Sequence, residues 1–314
     1  MARYLVTGAA GFIGSNIVEE LVRRGEEVWA LDNMATGRID NLQGMLKQIR
    51  FIEGDILDDA ALKQATQGVD YILHQAAIPS VPRSMKDPFA SHEANATGTL
   101  RVLLAAREAG VKRVVFASSS SVYGDSPTLP KREDMPTRPL SPYAVSKLTG
   151  EEYCKVFARV FDVPTVALRY FNVFGPRQNP DSQYAAVIPA FIKAISAGKQ
   201  PTIYGDGTQT RDFSYISNVV AANLLACRSD AAVGLALNIA CGERISLLQL
   251  VEQINTLTGR SVEPIFSAGR QGDVKDSLAD ISLAGEKMGY KAEVLFPEGL
   301  KYTVSAISEA AGGK

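Results

Sequence analysis

Short apolar runs alternate with longer amphipathic segments along much of the chain. Ile13, Ile17 and Leu21 recur at the spacing that places them on one helical face, and Gly25 follows as a helix stop. This spacing predicts helices over residues 12–24, 90–109, 142–161, 218–227 and 247–257, the last with Ser246 as its N-cap. The short apolar runs predict buried strands over residues 3–7, 28–31, 50–53, 71–74, 113–117, 164–168 and 236–240.

The alternation of strands and helices predicts an α/β fold with a Rossmann-like, doubly wound parallel sheet. After residue 169 the pattern loosens, and proline and glycine cluster at 174–180 and 204–207, which is typical of ligand-binding loops. The pattern becomes sheet-like again at 218–240. We therefore expect two lobes. Their predicted bounds are 1–168 plus about 212–242 for the larger lobe, and 169–211 plus 243–314 for a smaller, discontinuous C-terminal lobe that binds substrate.

Composition restricts the classes of function. The chain has 314 residues, 46% of them hydrophobic, which suffices for one large domain or two closely packed lobes. A net charge of -1 argues against a nucleic-acid surface, and no apolar run reaches membrane length. Cys154, Cys227 and Cys241 are isolated, which predicts free thiols in a reducing, cytoplasmic compartment. With only His74 and His92, a histidine-based metal site is not expected.

A glycine turn, Gly8, Gly11 and Gly14, lies between the first predicted strand and helix. Glycine there lets the backbone approach a pyrophosphate, and the helix start offers free N–H groups. The triplet alone would also suit an ordinary strand–helix turn. Asp32, at the end of the second strand, could accept from the adenosine ribose hydroxyls and would repel a 2′-phosphate. Together these features predict NAD rather than NADP as the cofactor.

A Ser/Tyr/Lys set predicts redox chemistry at a carbon that carries a hydroxyl. Tyr143 and Lys147 are one helical turn apart and share a helix face. A phenol titrates near pH ~10, and a nearby ammonium and a nicotinamide cation would both lower that pKa. Tyr143 could then take a hydroxyl proton while hydride leaves the same carbon. Ser119, at the tip of the fifth strand, could hydrogen-bond the substrate oxygen. The alternative is an ordinary surface pair, but the glycine turn upstream favours catalysis.

Several ordered motifs resemble those of the extended short-chain dehydrogenase/reductase family, and within it the nucleotide-sugar 4-epimerases. They cover nearly the whole chain and lie at residues 7–14, 31–33, 55–56, 75–77, 118–124, 143–147, 169–176 and 205–212. The resemblance implies an enzyme that keeps NAD bound and oxidises C4 of a UDP-sugar. The 4-keto intermediate then turns in the pocket, and hydride returns to its other face.

The resemblance also implies roles for individual residues. Tyr143 would act as base and then acid, Lys147 would hold the nicotinamide ribose, and Ser119 would orient the 4-oxygen with Ser120 and Ser121 beside it. The positions matching the NAD shell are Gly8, Gly11, Phe12, Ile13, Gly14, Asp32, Asn33, Asp55, Ile56, Gln75, Ala76, Ala77, Asn95, Tyr143, Lys147 and Tyr170. The positions matching the UDP-sugar site are Ser80, Arg83, Asn172, Val187, Tyr204, Arg211, Arg270, Asp273 and Ser277, in addition to the serine run.

The serine run separates this chain from some relatives. The family's sugar 4,6-dehydratases carry Asp-Glu beside the serine or threonine position, and its UDP-glucuronate decarboxylases carry a glutamate there. This chain has Ser119 and Ser120 instead. UDP-glucuronate 4-epimerases share a serine-rich tip, so the run does not exclude them, although their later motif differs from 171–174.

Through the same resemblance Ser277 bears on the choice of sugar, and the alternative is an ordinary loop serine. In family members specific for UDP-glucose and UDP-galactose, a tyrosine at the matching position narrows the pocket near the C2 substituent. A small side chain leaves space for an N-acetyl group. The segments 80–84 and 183–189 also resemble the subgroup that prefers UDP-N-acetylglucosamine and UDP-N-acetylgalactosamine. We therefore expect the N-acetylated pair, with activity on the plain hexoses left open because size selection is modest.

The resemblance further implies a homodimer through the two helices 90–109 and 142–161. Val102, Leu103, Phe157 and Val160 could line that contact or could pack on the sheet. Two rival functions stay open: a nucleotide-sugar 4-ketoreductase or dehydrogenase that exchanges its cofactor with solvent, and a non-catalytic binding module on the same fold. The intact Tyr143 and Lys147 disfavour the second.

Overall fold

A seven-stranded, fully parallel sheet forms the centre of the computed structural model, which describes residues 1–180, 186–269 and 274–312, with side chains described as far as residue 309. Its strand order is β11-β6-β5-β4-β1-β2-β3. These strands are β1 (Arg3–Thr7), β2 (Glu27–Asp32), β3 (Arg50–Glu53), β4 (Tyr71–His74), β5 (Arg113–Ser119), β6 (Thr165–Tyr170) and β11 (Ala236–Ile239). The order reverses between β1 and β4, so the carboxyl ends of these two strands open a crevice at the sheet edge.

Helices cover both faces of this sheet and continue beyond it. They are α1 (Phe12–Arg23), α2 (Asp59–Thr66), α3 (Val81–Lys86), α4 (Pro88–His92), α5 (Gly98–Ala109), α6 (Pro142–Val160), α7 (Val187–Ser196), α8 (Ile216–Arg228), α9 (Leu247–Thr258), α10 (Ser282–Met288) and α11 (Phe296–Gly312). Six short strands form three separate pairs, β7 (Val173–Phe174) with β10 (Ser214–Tyr215), β9 (Thr210–Arg211) with β12 (Ile245–Ser246), and β8 (Thr202–Tyr204) with β13 (Ile265–Ser267).

The predicted fold class is confirmed, and all seven predicted sheet strands are present within a few residues of their expected ends. Ser246 caps α9 as predicted, and Gln249 completes a capping box with it. The predicted helix 90–109 is not continuous. A π-helical turn, Glu93–Thr97, separates α4 from α5, and it buries Asn95 and Ala96. The division into two lobes stays a prediction, although β11 does pair with β6.

The apolar residues proposed for a dimer contact are mostly used inside the protein. Val102, Leu103 and Phe157 are buried and belong to the hydrophobic cluster on one face of the sheet, so of the two alternatives they follow packing on the sheet. Helical spacing alone cannot separate a face that packs on a sheet from one that meets a partner. Val160, by contrast, is 63% exposed.

Other expectations concern membranes and thiols. None of the described helices is long and apolar enough to cross a membrane. Cys154, Cys227 and Cys241 are all buried and unpaired. Burial raises the pKa of each thiol above its ordinary value, so these groups are poor nucleophiles.

Candidate active site

A cavity of about 620 Å³ occupies the crevice where the strand order reverses. The glycine turn forms one wall, and Gln75, Ala76 and Ala77, which follow β4, form another. Tyr143 and Lys147 of α6 also line this cavity. Every residue predicted from sequence to hold the cofactor lines this cavity, with the exception of Asn95. The predicted residues are thus brought together at the edge where doubly wound folds bind nucleotides.

The glycine turn has no room for side chains. Gly8 has a φ of 66°, and a Cβ there would lie 2.7 Å from the backbone nitrogen of Ala76. A Cβ on Gly14 would collide with the carbonyl of Gly8. Gly11 is the N-cap of α1 and carries no side chain that could cap the helix. The first N–H groups of α1 are therefore available to an anion, which fits a pyrophosphate.

Asp32 lies at the far end of the cavity and is nearly fully buried. Its two carboxylate oxygens accept hydrogen bonds from the backbone N–H groups of Ala10, at 2.9 Å, and Met34, at 2.8 Å. Burial raises the pKa of Asp32, while these two bonds work in the opposite direction. Each oxygen keeps a further lone pair for a ribose hydroxyl. Beside it, the side chain of Asn33 donates to Asp55 over 2.7 Å.

Lys147 is held against the end of β5. Its Nζ donates to the carbonyl oxygen of Ala117 over 2.8 Å and lies 6.0 Å from the centre of the Tyr143 ring. Burial lowers the pKa of Lys147 to about 8, because the ammonium loses its hydration. The lysine therefore titrates close to the pH at which proton transfer to and from a hydroxyl is most useful.

Ser119 contacts the phenol of Tyr143 through a side-chain hydrogen bond. Its Oγ already accepts from the backbone N–H of Ser121, at 3.2 Å, and from the Ser121 hydroxyl, at 2.9 Å. A serine hydroxyl has two acceptor positions and one proton, so this arrangement leaves Ser119 its proton to donate. Because Ser121 fills both acceptor positions of Ser119, the Ser119 hydroxyl is left to donate its proton to a neighbouring oxygen, such as that of the Tyr143 phenol or of a bound substrate.

From sequence we expected the pKa of Tyr143 to be lowered. The groups of the protein itself have the opposite net effect, so for these groups the expectation was wrong. Burial of the phenol raises its pKa above the ordinary value, and the hydrogen bond from Ser119 only partly opposes this effect. Sequence reasoning weighed charges but could not weigh the loss of water around the phenol. Lys147 approaches the ring at 6.0 Å but is not among the groups that shift this pKa. The second cation expected from sequence to lower this pKa is the nicotinamide, which belongs to the cofactor and not to the protein.

Asn95 lies behind the cavity wall. Its side chain accepts from the backbone N–H of Ile78, at 2.8 Å, and donates to the carbonyl of Ile78 and the hydroxyl of Ser146, at 3.2 and 3.1 Å. Ser146 in turn donates to the carbonyl of Tyr143 over 2.8 Å. In this structure Asn95 thus joins two walls of the cavity, and its direct contact with the cofactor stays a prediction.

Tyr170 is fixed in the wall by two amides. Its hydroxyl donates to Gln75 over 3.2 Å and accepts from Asn223 of α8 over 2.8 Å, and Gln75 also donates to Asn223 over 3.0 Å. Asn223 was not predicted from sequence. It lies in an amphipathic helix far along the chain, and no motif distinguished it.

The predicted substrate residues are more dispersed. Ser80 and Arg83 line the cavity. Asn172 donates to the Ser277 hydroxyl over 3.4 Å, which brings these two predicted residues together beside the end of β6. The others occupy separate elements or lie outside the described part. Ser120 begins a 3₁₀ turn, Val187 begins α7, Tyr204 ends β8, Arg211 ends β9, and Arg270 and Asp273 fall outside the described residues.

The structure adds cavity residues that sequence reasoning missed. These are Thr36 and Asn41, which follow Asp32 in the chain, and Arg177, Gln178 and Asn179. The last three belong to the proline- and glycine-rich segment 174–180, so a signal for a ligand-binding loop was present. Among the described residues no cluster of three or more potential metal ligands occurs.

Comparisons with known proteins agree with this site. The model of the NAD dependent epimerase/dehydratase family matches residues 4–240. A UDP-glucose 4-epimerase of Mycolicibacterium smegmatis is 39% identical over 306 residues, covering 96% of this chain and 97% of its own. The structure of a UDP-N-acetylglucosamine 4-epimerase from Methanobrevibacter ruminantium, in complex with UDP-N-acetylmuramic acid, matches with a TM-score of 0.94 at 39% identity over 98% of this chain and 99% of its own.

A third relative differs in its substrate. The structure of a UDP-glucuronic acid 4-epimerase from Bacillus cereus, in complex with UDP-glucuronic acid and NAD, matches with a TM-score of 0.91 at 35% identity, covering 98% of this chain and 99% of its own. The relatives thus share fold and length with this chain but differ in the sugar that their names give.

Proposed function

The chain belongs to the NAD-dependent epimerase/dehydratase family, and on this premise we propose that it is a UDP-sugar 4-epimerase whose preferred substrates are UDP-N-acetylglucosamine and UDP-N-acetylgalactosamine. The proposal is supported mainly by one observation: the glycine turn, Tyr143 and Lys147 line the same cavity. Ser119 is hydrogen-bonded to the phenol of Tyr143. The cavity joins a dinucleotide site to a proton-transfer group, as oxidation of an alcohol requires.

NAD fits the cavity at both ends. The uncapped start of α1 suits the pyrophosphate, and Asp32 suits the adenosine ribose hydroxyls. Lys147 is the donor available to the second ribose, since its Nζ has bonds to spare beyond the one to Ala117. When bound, NAD accepts a hydride from the sugar carbon and returns it.

The chain's own residues move the proton. Tyr143 accepts the proton of the sugar 4-hydroxyl as C4 becomes a carbonyl, and it returns that proton when the other epimer forms. Ser119 donates to the 4-oxygen or to the phenolate in turn, since Ser121 occupies its acceptor positions. Burial disfavours the phenolate of Tyr143, and the hydrogen bond from Ser119 favours it.

Ser277 supports the choice of sugar. Its side chain is small, half-buried and within hydrogen-bond reach of Asn172, close to the tip of β6 that lies beside Ser119. A tyrosine at this position would fill space that an N-acetyl group could otherwise occupy. The two-lobe division at 169–211 plus 243–314 would place Asn172 and Ser277 in the same substrate lobe.

The proposal is tested by an NMR time course of purified protein with UDP-N-acetylglucosamine, UDP-glucose and UDP-glucuronate in separate samples, without added NAD. We expect UDP-N-acetylglucosamine to reach equilibrium with its 4-epimer fastest. Ser277→Tyr should then lower kcat/KM for the N-acetylated sugar by roughly 10- to 200-fold and spare UDP-glucose, while the control Ser277→Ala keeps both activities.

Other outcomes would change the assignment. Faster conversion of UDP-glucose or UDP-glucuronate by the wild type would overturn the sugar but keep the chemistry. Net consumption of NAD or NADH with sugar would favour a dehydrogenase or ketoreductase. Inertness towards all three sugars, with NAD restored, would reject the proposed epimerase.

A further inference from the structure

A short segment after β7 reaches across to the helix of the glycine turn. We call residues 176–179 the strap. The guanidinium of Arg177 donates to the carbonyl of Ser15 over 3.1 Å and pairs with Glu19 over 2.6 Å. Asn16 donates to the carbonyl of Pro176 over 3.3 Å. The strap is therefore tied to one side of α1 by three hydrogen bonds.

The strap also forms part of the cavity. Arg177, Gln178 and Asn179 all line it, together with Gly11 and Gly14 at the start of α1. A dinucleotide whose pyrophosphate lies on the glycine turn would therefore have α1 on one side and the strap close by.

The strap has an unusual backbone conformation at Arg177 and, at Gln178, a buried acceptor without a partner among the described residues. Arg177 has a φ of 70°, a conformation that a residue with a side chain rarely adopts. Such backbone persists where surrounding contacts hold it, here the bonds of its own side chain to α1. Gln178 donates to the carbonyl of Val173 over 3.1 Å, yet its side-chain oxygen is buried with no hydrogen-bond partner within the described structure. A buried acceptor without a partner suits a hydroxyl donor from a bound molecule.

We propose that the strap retains NAD in the cavity and that Arg177 is the residue that fastens it. The anchor on Ser15 and Glu19 holds the strap against α1, so the dinucleotide leaves slowly. The inference rests on the proposed function in one respect. An epimerase returns the hydride that it removed, so the same NAD must stay bound through both halves of the reaction.

The test measures NAD release directly and needs no sugar. Protein loaded with isotope-labelled NAD is mixed with excess unlabelled NAD, and the bound label is followed over time. Arg177→Gly removes the side chain while suiting the left-handed backbone, so the fold is kept. We expect it to raise the dissociation rate roughly five- to tenfold or more, because a charged hydrogen bond and an ion pair are lost together. Glu19→Gln should raise the rate less, since Ser15 still accepts from Arg177.

A matched control lies on the same helix. Arg23 pairs with Glu20 over 2.7 Å within α1 and makes no contact with the strap, so Arg23→Ala should leave NAD release unchanged. Unchanged release in both Arg177→Gly and Glu19→Gln, with thermal stability retained, would overturn the strap. That result would leave the epimerase intact, whereas a wild type that retains NAD but converts no sugar would reject the function alone.

Discussion

His74 connects Thr7, the residue before the glycine turn, to Thr99 of α5, although it touches neither cofactor nor substrate in the proposed mechanism. Its Nδ1 lies 2.7 Å from the hydroxyl of Thr7, and its Nε2 lies 3.1 Å from the hydroxyl of Thr99. Thr99 gives its own proton to the carbonyl of Asn95, so it must accept from Nε2–H. Thr7 then donates to Nδ1 and accepts from the N–H of Ala76. The pattern suits a neutral imidazole, which burial favours by lowering the pKa of His74.

This neutral state predicts a pH dependence of stability. Burial, and then the charge of Lys147, lower the pKa of His74 to about 3 from its ordinary 6.5. Between these values the unfolded chain binds one proton more than the folded protein, so stability is full above pH 6.5 and falls as the pH drops towards 3. The loss is about 1.4 kcal/mol per pH unit over most of this window.

His74→Gln should remove that dependence. The variant is expected to lose ~1–3 kcal/mol at neutral pH, because the hydrogen-bond chain is disturbed. Its free energy of unfolding should then fall less steeply than that of the wild type between pH 6 and pH 4, measured by urea denaturation. The exposed His92 provides the control, since His92→Gln should keep the wild-type slope. Equal slopes in wild type and His74→Gln would contradict a neutral His74.

Sequence reasoning succeeded for residues that carry chemistry and failed for those that position them. Gly8, Asp32 and Tyr143 stand in short motifs whose spacing is fixed by the ligand or by the reaction. Asn223 and Arg177 act through contacts between segments that are far apart in sequence, and such contacts depend on the packed structure. The same reason explains the Tyr143 pKa, because burial cannot be measured from neighbours in sequence.

Helix α6 is fixed to the sheet by a buried ion pair. Glu151 is 0% exposed, and both of its carboxylate oxygens accept from the guanidinium of Arg169 in β6, at 2.9 and 2.7 Å. Ser118, the neighbour of Ser119, also donates to Glu151. Glu151 lies one turn after Lys147 on α6. The pair therefore sets the position of the catalytic helix relative to the strand tips that hold Ser119 and Tyr170.

Breaking this pair should destabilise the protein strongly. Glu151→Gln leaves the buried guanidinium without its counter-charge, for which we expect a loss of ~3–5 kcal/mol in the free energy of unfolding. Glu152→Gln is the matched control, because Glu152 pairs with Lys155 in an exposed ion pair. That variant should change stability by less than ~0.5 kcal/mol. Equal effects of the two variants in chemical denaturation would show that Glu151 has no special structural role.

Some helices could not be predicted correctly from the spacing of apolar residues alone. The π-helical turn at Glu93–Thr97 interrupts a helical spacing that looks continuous in sequence. Helix α11 had a usable signal, since Phe296, Leu300 and Val304 recur every four residues and are all buried. Short helices such as α3 offer fewer than two turns of pattern, and their existence depends on Ser80 capping and on tertiary packing.

The outer surface of α5 and α6 suggests how two copies would meet. Leu104 on α5 and Val145, Val156 and Val160 on α6 are apolar and exposed. Val156 and Val160 are one turn apart and share a face. We propose that a homodimer buries this surface, in which Val160 is kept from the residues expected from sequence and Leu104, Val145 and Val156 take the place of the buried ones.

The dimer is tested by light scattering coupled to size-exclusion chromatography. The double variant Val156→Asp with Val160→Asp should shift the mass from dimer to monomer, because it places charges at the centre of an apolar contact. Leu248→Asp, at an exposed position on α9, should leave the mass unchanged. A wild type that is monomeric at every concentration would reject the dimer, and a double variant that stays dimeric would reject this surface.

The most direct test of the whole account follows the hydrogen on C4 of the sugar. UDP-N-acetylglucosamine labelled with deuterium at C4 is incubated with the protein in ordinary water, and both epimers are analysed by NMR and mass spectrometry. If hydride leaves C4 and returns from NAD retained in the cavity, the deuterium stays at C4 in both epimers. Loss of the label to water during epimerisation would contradict the account, since it would mean that C4 exchanges a proton with solvent.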